Sequence, residues 1–360
     1  MNGPDVLSAA RRELAEVCSN ATQPPPALNV SPWVAMSLLQ KAVRRGREDL
    51  ALQAAATLLR DSPERFWRRC CCIAFEDVGL ASIQALSLAV AALTGKRFRS
   101  SLGGEWSVAR TVVLSLAQSA KCRAADDLLM AAELHPAFQM ERETFAVMGA
   151  RELLKIATRG RALPIRALAL WYAIGTDHRP SPRLRFRKGE PHAAFDYLCE
   201  AGYPHSLVEI AREGFRKTRE VLGPLVVLLT DPNRSQSQEL FDDTMPPEIQ
   251  LRGVPGWAYD LYSREGRQSL STFLATHSKS GKWLRSHVPP AKRVQLFGAA
   301  VFRVEGGLVA GRSRWPAGDE LRRLVDQECY GRHCPNGSEL LELVRNDISL
   351  LNKVRQNVHP

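Results

Sequence analysis

The pattern that most narrows the fold is helical. Between residues 33 and 174, apolar side chains recur at three- and four-residue spacing, segment after segment. Strand-type alternation is nearly absent before residue 215. Val34, Leu38, Leu39, Ala42 and Val43 mark the first segment, with Pro32 at its start and Gly46 as its stop. Leu50, Leu52, Ala54, Ala55, Leu58 and Leu59 mark the second. Asp61 or Ser62 can cap a third, with Pro63 and Glu64 in its first turn. It runs through Phe66, Arg69, Ile73 and Phe75 to about Gly79, and Ser82 caps the next, 83–93. Further helices are expected at 108–118, 124–134, 142–159 and 164–174. Glycine and proline fall mostly between these segments, so the spacing predicts an all-α body.

The chain divides by composition. Residues 1–32 read as an N-terminal arm, a short helix over 5–18 followed by a linker carrying Pro24, Pro25 and Pro26. Residues 33–177 form the helical domain. Residues 178–192, HRPSPRLRFRKGEPH, hold five basic residues, one acid and three prolines, and read as a basic linker. Residues 193–360 are expected to form an α-rich C-terminal domain of unknown type, with helices at 196–211, 213–229, 257–277, 320–326 and 338–356. The stretch 230–256 is irregular, and VFRVEGGLVAG ends as a short hairpin turning at Gly306 and Gly307. The fold class expected is mostly α, with at most a small hairpin.

Charge directs attention to anionic partners. Thirty-nine arginines and ten lysines against 38 acids leave a formal charge of +11. Arg179, Arg183, Arg185, Arg187 and Lys188 surround Phe186, and Lys282 stands beside Trp283 in a second basic cluster. Guanidinium groups grip phosphates and an exposed ring stacks a base, so these residues are the candidate nucleic-acid contacts, non-specific and for single- or double-stranded DNA. The alternative, a solvated linker with its ring tucked against the body, stays open.

Chemistry of other kinds is not indicated. Cys70, Cys71 and Cys72 diverge on a helix and read as small core residues. Cys329 and Cys334 beside His333 lack paired C-x2-C knuckles, so no metal is assigned. No H-E-x-x-H, G-x-S-x-G or G-x-G-x-x-G occurs, so no catalytic residue and no cofactor is expected. The longest apolar runs are far shorter than the roughly 20 residues a membrane helix takes, and no leader is recognisable. A cytoplasmic location, without membrane partners, is expected.

Two stretches carry a resemblance. Lys41, Val43, Arg44, Asp49, Ala51 and Leu52 fit a K-S-[VI]-R…D-x-A-L pattern. Arg68, Arg69, Ile73, Ala74, Glu76, Asp77, Val78, Gly79, Leu80, Ala81, Ala85 and Leu86 fit R-R-x-x-x-I-A-x-E-D-[IV]-G-L-A-x-x-x-A-L without a gap. Residues 36–93 thereby resemble the C-terminal helical domain of the RarA/MgsA replication-associated recombination AAA+ ATPases. Arg45, Gly46 and Arg47 replace small and acidic residues of that family, and Cys72 replaces a basic one. The resemblance implies a clamp-loader-like collar that mediates oligomer formation, with Lys41, Arg44, Arg68, Arg69, Glu76, Asp77 and Gly79 as structural motif residues. No G-x4-G-K-[ST] occurs, so ATP hydrolysis is not implied.

Glu76 and Asp77 read as last-turn acids, where the helix dipole disfavours them, so each needs an arginine partner from a neighbouring helix or subunit. As adjacent residues they are expected to diverge. The 83–93 helix is apolar on most faces and must be covered by its own core or by a copy. The function expected is a non-catalytic, homo-oligomerising adaptor in DNA replication, recombination, repair or mobile-element maintenance, with replication or repair proteins as further partners. The alternatives are a nucleic-acid-processing enzyme with its site in the C-terminal region, and a protein-interaction module without DNA contact.

Overall fold

The computed structural model describes residues 5–18, 23–230, 239–328 and 336–359. Helices dominate it. The first fourteen are α1 (Val6–Val17), α2 (Pro32–Arg44), α3 (Glu48–Asp61), α4 (Pro63–Ile73), α5 (Ile83–Ala92), α6 (Lys96–Ser101), α7 (Glu105–Gln118), α8 (Ala124–Leu134), α9 (Gln139–Phe145), α10 (Ala150–Thr158), α11 (Leu163–Ile174), α12 (Pro191–Glu200), α13 (His205–Thr218) and α14 (Leu222–Leu229). Caps set several starts: Ser31 Oγ accepts from Val34 N at 3.4 Å ahead of Pro32, and Ser82 Oγ from Ala85 N at 3.2 Å. Ser62 makes no such bond for α4.

Strands are few. β1 (Glu239–Phe241) pairs antiparallel with β4 (Arg312–Arg314), and β2 (Gln250–Leu251) with β3 (Val254–Pro255) in a small hairpin. Arg252 and Gly253 turn that hairpin, both at positive φ. The remaining helices are α15 (Arg264–Leu274), α16 (Lys279–His287), α17 (Pro290–Val301), α18 (Pro316–Glu328) and α19 (Gly337–Val358). The chain is therefore mostly α with small antiparallel pairs. Among the described residues no helix is long and apolar enough to cross a membrane.

Two apolar cores organise these helices, and their boundary differs from the one expected. The larger core gathers buried residues from Leu7 to Leu229, then Leu251, Val254, Trp257, Ala258, Tyr259, Trp315 and Leu321. The smaller gathers Leu270, Phe273, Trp283, Leu284, Leu296, Phe297 and residues of α19. The 178–192 stretch does not separate them: Ile174, Leu184, Ala194 and Phe195 share one core across it. It is a loop closed on itself. Thr176 N and Asp177 N both donate to the Arg187 carbonyl, at 3.0 and 3.2 Å. α12 to α14 belong with the N-terminal body, and the second lobe begins near α15. The chain then alternates: β4 and α18 return to the first core, and α19 goes back to the second.

Two further differences concern turns. The expected hairpin at Gly306–Gly307 is a π-helical extension of α17, Phe302–Gly306. The last carbonyls of a helix have no intrahelical donor. Here Arg44 Nη1 donates to Gly306 O and Arg45 Nη2 to Glu305 O, each at 2.7 Å. A second π segment, Ala74–Val78, follows α4.

The apolar α5 is covered by its own chain. It packs against α1, α7 and α13, and Leu7, Ala10 and Leu14 of α1 are buried with it. The N-terminal arm is thus part of the first core, and α5 needs no copy to bury it. Leu14→Ala should lower stability by about 2–5 kcal/mol, the cost of a cavity where the side chain is wholly buried. Urea unfolding of the two proteins measures it; a near-zero change would mean α1 is not held on α5.

Candidate functional site

The motif residues converge on a buried charge network. Asp77 has no exposed surface, and Arg44 and Arg123 have almost none. Arg44 Nε donates to Asp77 Oδ1 and Arg44 Nη2 to Glu76 Oε1, each at 2.7 Å. Arg123 Nη1 also reaches Asp77 and Arg123 Nη2 reaches Asp126. Gln40 Nε2 donates to Asp77 Oδ2 at 3.0 Å. The adjacent carboxylates therefore do not diverge: the π turn brings both to one guanidinium. Their partners come from α2 and from the residue before α8. Gly79 makes room for the segment ahead of α8. It sits at φ +49°, and a Cβ there would lie 2.6 Å from the Cys122 carbonyl.

The same network ties the lobes together. Lys41 Nζ donates to Asp260 Oδ2 at 2.7 Å. Arg303 pairs with Asp127 at 2.7 Å and with Asp326 at 2.6 Å. Within the second lobe Arg355 pairs with Glu305 at 2.7 Å; within the first the Arg45 guanidinium lies 4.5 Å over the Trp257 ring, while its Nη2 reaches across to the Glu305 carbonyl. Burial works against ionisation of Glu76, yet Arg44, Arg123 and Arg69 hold its carboxyl down to about 2. Burial instead pushes Asp126 up to about 7; Arg123 opposes it, and Glu76 and Asp127 add to it.

Above this floor lies a cleft of about 640 Å³ between the two lobes. α2, α4 and α8 form one side, α15, α17 and its π extension the other. Arg65, Arg68 and Arg69 line it from α4. Their i, i+3, i+4 spacing puts them on one face. Arg68 donates to the Thr218 carbonyl at 3.2 Å and Arg69 to Gln40 at 3.3 Å. None of the three forms an ion pair among the described residues. Trp33, 51% exposed, and Tyr262, 70% exposed, also line the cleft, with Arg65 5.6 Å from the Trp33 ring centroid.

The residues expected to bind nucleic acid scatter. Arg179 lines the cleft but is paired with Glu220 at 2.8 Å. Arg187 is turned inward, donating to the carbonyls of Phe145 and Met148, which makes it a support of the loop. Arg183, Arg185 and Lys188 are exposed, as is Phe186 at 78%. Trp283 is not an exposed platform: it is buried in the second core and stacks on His287 at 4.4 Å, because Leu284 and Val288 carry its helix into the apolar cluster. Lys282 beside it is exposed. Cys329, His333 and Cys334 lie outside the described residues. Among the described residues no cluster of His, Cys, Asp or Glu is placed to hold a metal.

Sequence reasoning missed Arg123, Trp33, Arg65 and Tyr262. The R-x-x-R-R spacing at 65–69 was the available signal for the rim; nothing local marks Arg123. Comparison of the chain with protein-family models, with curated proteins and with solved structures finds no match.

Two outcomes follow from the network. Arg44→Ala strips the buried Glu76 and Asp77 carboxylates of the guanidinium they share, leaving Arg123 and Gln40 as their hydrogen-bond partners, and should cost about 3–5 kcal/mol in urea unfolding. The pH dependence has two opposed parts. Glu76 contributes stability that is lost as pH falls from about 4.5 towards 2. Asp126 holds a proton in the folded chain that an unfolded aspartate, ordinarily near 3.8, has released, so stability declines as pH rises from about 4 to about 7. Urea midpoints of Asp126→Asn should decline less over that interval than those of the parent; parallel curves would show that Asp126 does not titrate there.

Proposed function

We propose that the chain is a non-catalytic adaptor that holds nucleic acid, single-stranded or locally unpaired, across the mouth of the interlobe cleft. One observation carries the reading: three arginines on one face of α4, none spent on an ion pair, beside an exposed tryptophan. Arginines outside any ion pair are available to phosphates, and exposed aromatic faces to bases. The expected loop contributes Arg183, Arg185 and Lys188 as a second, outlying basic surface. Sequence readout is not part of the proposal, since no helix resembles one that enters a groove.

A role in DNA replication, recombination or repair rests on the resemblance of residues 36–93 to the RarA/MgsA helical domain. Self-association belongs to the same proposal, through a surface other than α5. The motif residues Lys41, Arg44, Glu76 and Asp77 act in it as the joint between the lobes, and Arg68 and Arg69 as contacts.

The test is a salt series on a single-stranded oligonucleotide with Arg65, Arg68 and Arg69 all replaced by Ala. Each phosphate released removes about 0.7 from the slope of log K against log salt, so the slope should flatten by about two units. Circular dichroism should match the parent, because Arg65 and Arg68 are exposed and Arg69 is half-buried. An unchanged slope and affinity would overturn the reading in favour of an interaction module without DNA contact.

A further inference from the structure

The rim explains phosphate contact but not the cavity behind it. At about 640 Å³ the cleft lies in the range, about 300–1,000 Å³, of sites that enclose a small molecule. A duplex is too wide to enter and must lie across the mouth; a single nucleotide is of the right size to go in. The lining is mixed in character. Arg65 and Arg68 are exposed at the cleft and Arg69 is half-buried. Met130, Leu222 and Ala299 give it apolar walls above the charged floor. Glu133 lines the cleft too, half-buried and with no side-chain hydrogen bond or ion pair among the described residues. An anionic end for the arginines, a flat apolar body for those walls, and hydrogen-bond donors for Glu133 complement that lining. A nucleotide has all three: its phosphate, its base faces, and the N–H groups of the base edge. Trp33 and Tyr262 come from different lobes, so both lobes contribute to the entrance.

We infer that the cleft encloses a single nucleotide unit, with its phosphate on the α4 arginines and its base edge towards Glu133. The unit is either an unpaired position of a strand or a free mononucleotide. This deepens the proposed nucleic-acid reading and rests on it for the strand-borne source. Binding is by enclosure alone: no bond of the nucleotide is made or broken.

The test uses the full chain and two duplexes of equal length, one fully paired and one with a single bulged 2-aminopurine. Enclosure should change the emission of the bulged base on binding. The bulged duplex should bind about tenfold more tightly than the paired one, the worth of about one stacked base. Ala299→Trp on α17 fills the cavity and should reduce the bulged duplex to the affinity of the paired one. Gln295→Trp, on the exposed side of the same helix, serves if the first variant fails to fold, and circular dichroism decides that. Adenosine 5′-monophosphate that displaces the bulged base identifies a free nucleotide as a second source; failure to displace it, with the preference intact, identifies the strand. Equal affinities for the two duplexes without an emission change, or a bulge preference that survives both tryptophan variants, would overturn the inference and leave the rim reading standing. Loss of all duplex binding in the parent, with adenosine 5′-monophosphate still bound, would overturn the nucleic-acid reading and keep the enclosed nucleotide.

Discussion

One carboxylate, Asp77, is wholly withdrawn from water and answered by Arg44, Arg123 and Gln40. A buried charge of this kind is tolerated only when its hydrogen-bond capacity is met. Meeting it requires α2, the π segment after α4 and the start of α8 to arrive together. Once Arg44 is held there, its remaining Nη1 is aimed at the Gly306 carbonyl. That bond seats the π extension of α17, and with it the opposite wall of the cleft. The rim arginines then face a second lobe instead of open solvent.

The helical body was legible because helix periodicity is local. Side chains three and four apart announce the buried face whatever it packs against. The π segments were not legible, since an extra residue in one turn leaves the surrounding apolar spacing almost unchanged. The motif residues were found through resemblance, while their partner Arg123 was not, because its role is set by contacts 46 residues away in sequence. Trp283 was misjudged from its lysine neighbours; the apolar spacing of Leu284 and Val288 was the better guide. Glu76 and Asp77 were expected to diverge on a regular helix, and only the widened turn allows one arginine to serve both.

Arg45, one of the places where the motif breaks, meets the second lobe directly. Arg45 lies over Trp257 and donates to the Glu305 carbonyl. Arg47 approaches Glu248 at 3.7 Å, and Cys72 lines the cleft. Arg45 and Arg47 thus contact residues 248–305, a region outside the resemblance.

The interleaving of the lobes has a mechanical consequence. The chain passes from the first core to the second after Tyr259, returns to the first with Trp315, and enters the second again before Leu340. A proteolytic nick in the segment after Tyr259 therefore does not part the lobes cleanly: the N-terminal fragment holds first-core residues alone, but the C-terminal fragment carries the second core together with Trp315 and Leu321 of the first, so the pieces stay clasped. Opening of the cleft is restricted in the same way. The chain crosses between the cores three times, and each crossing tethers one wall of the cleft to the other.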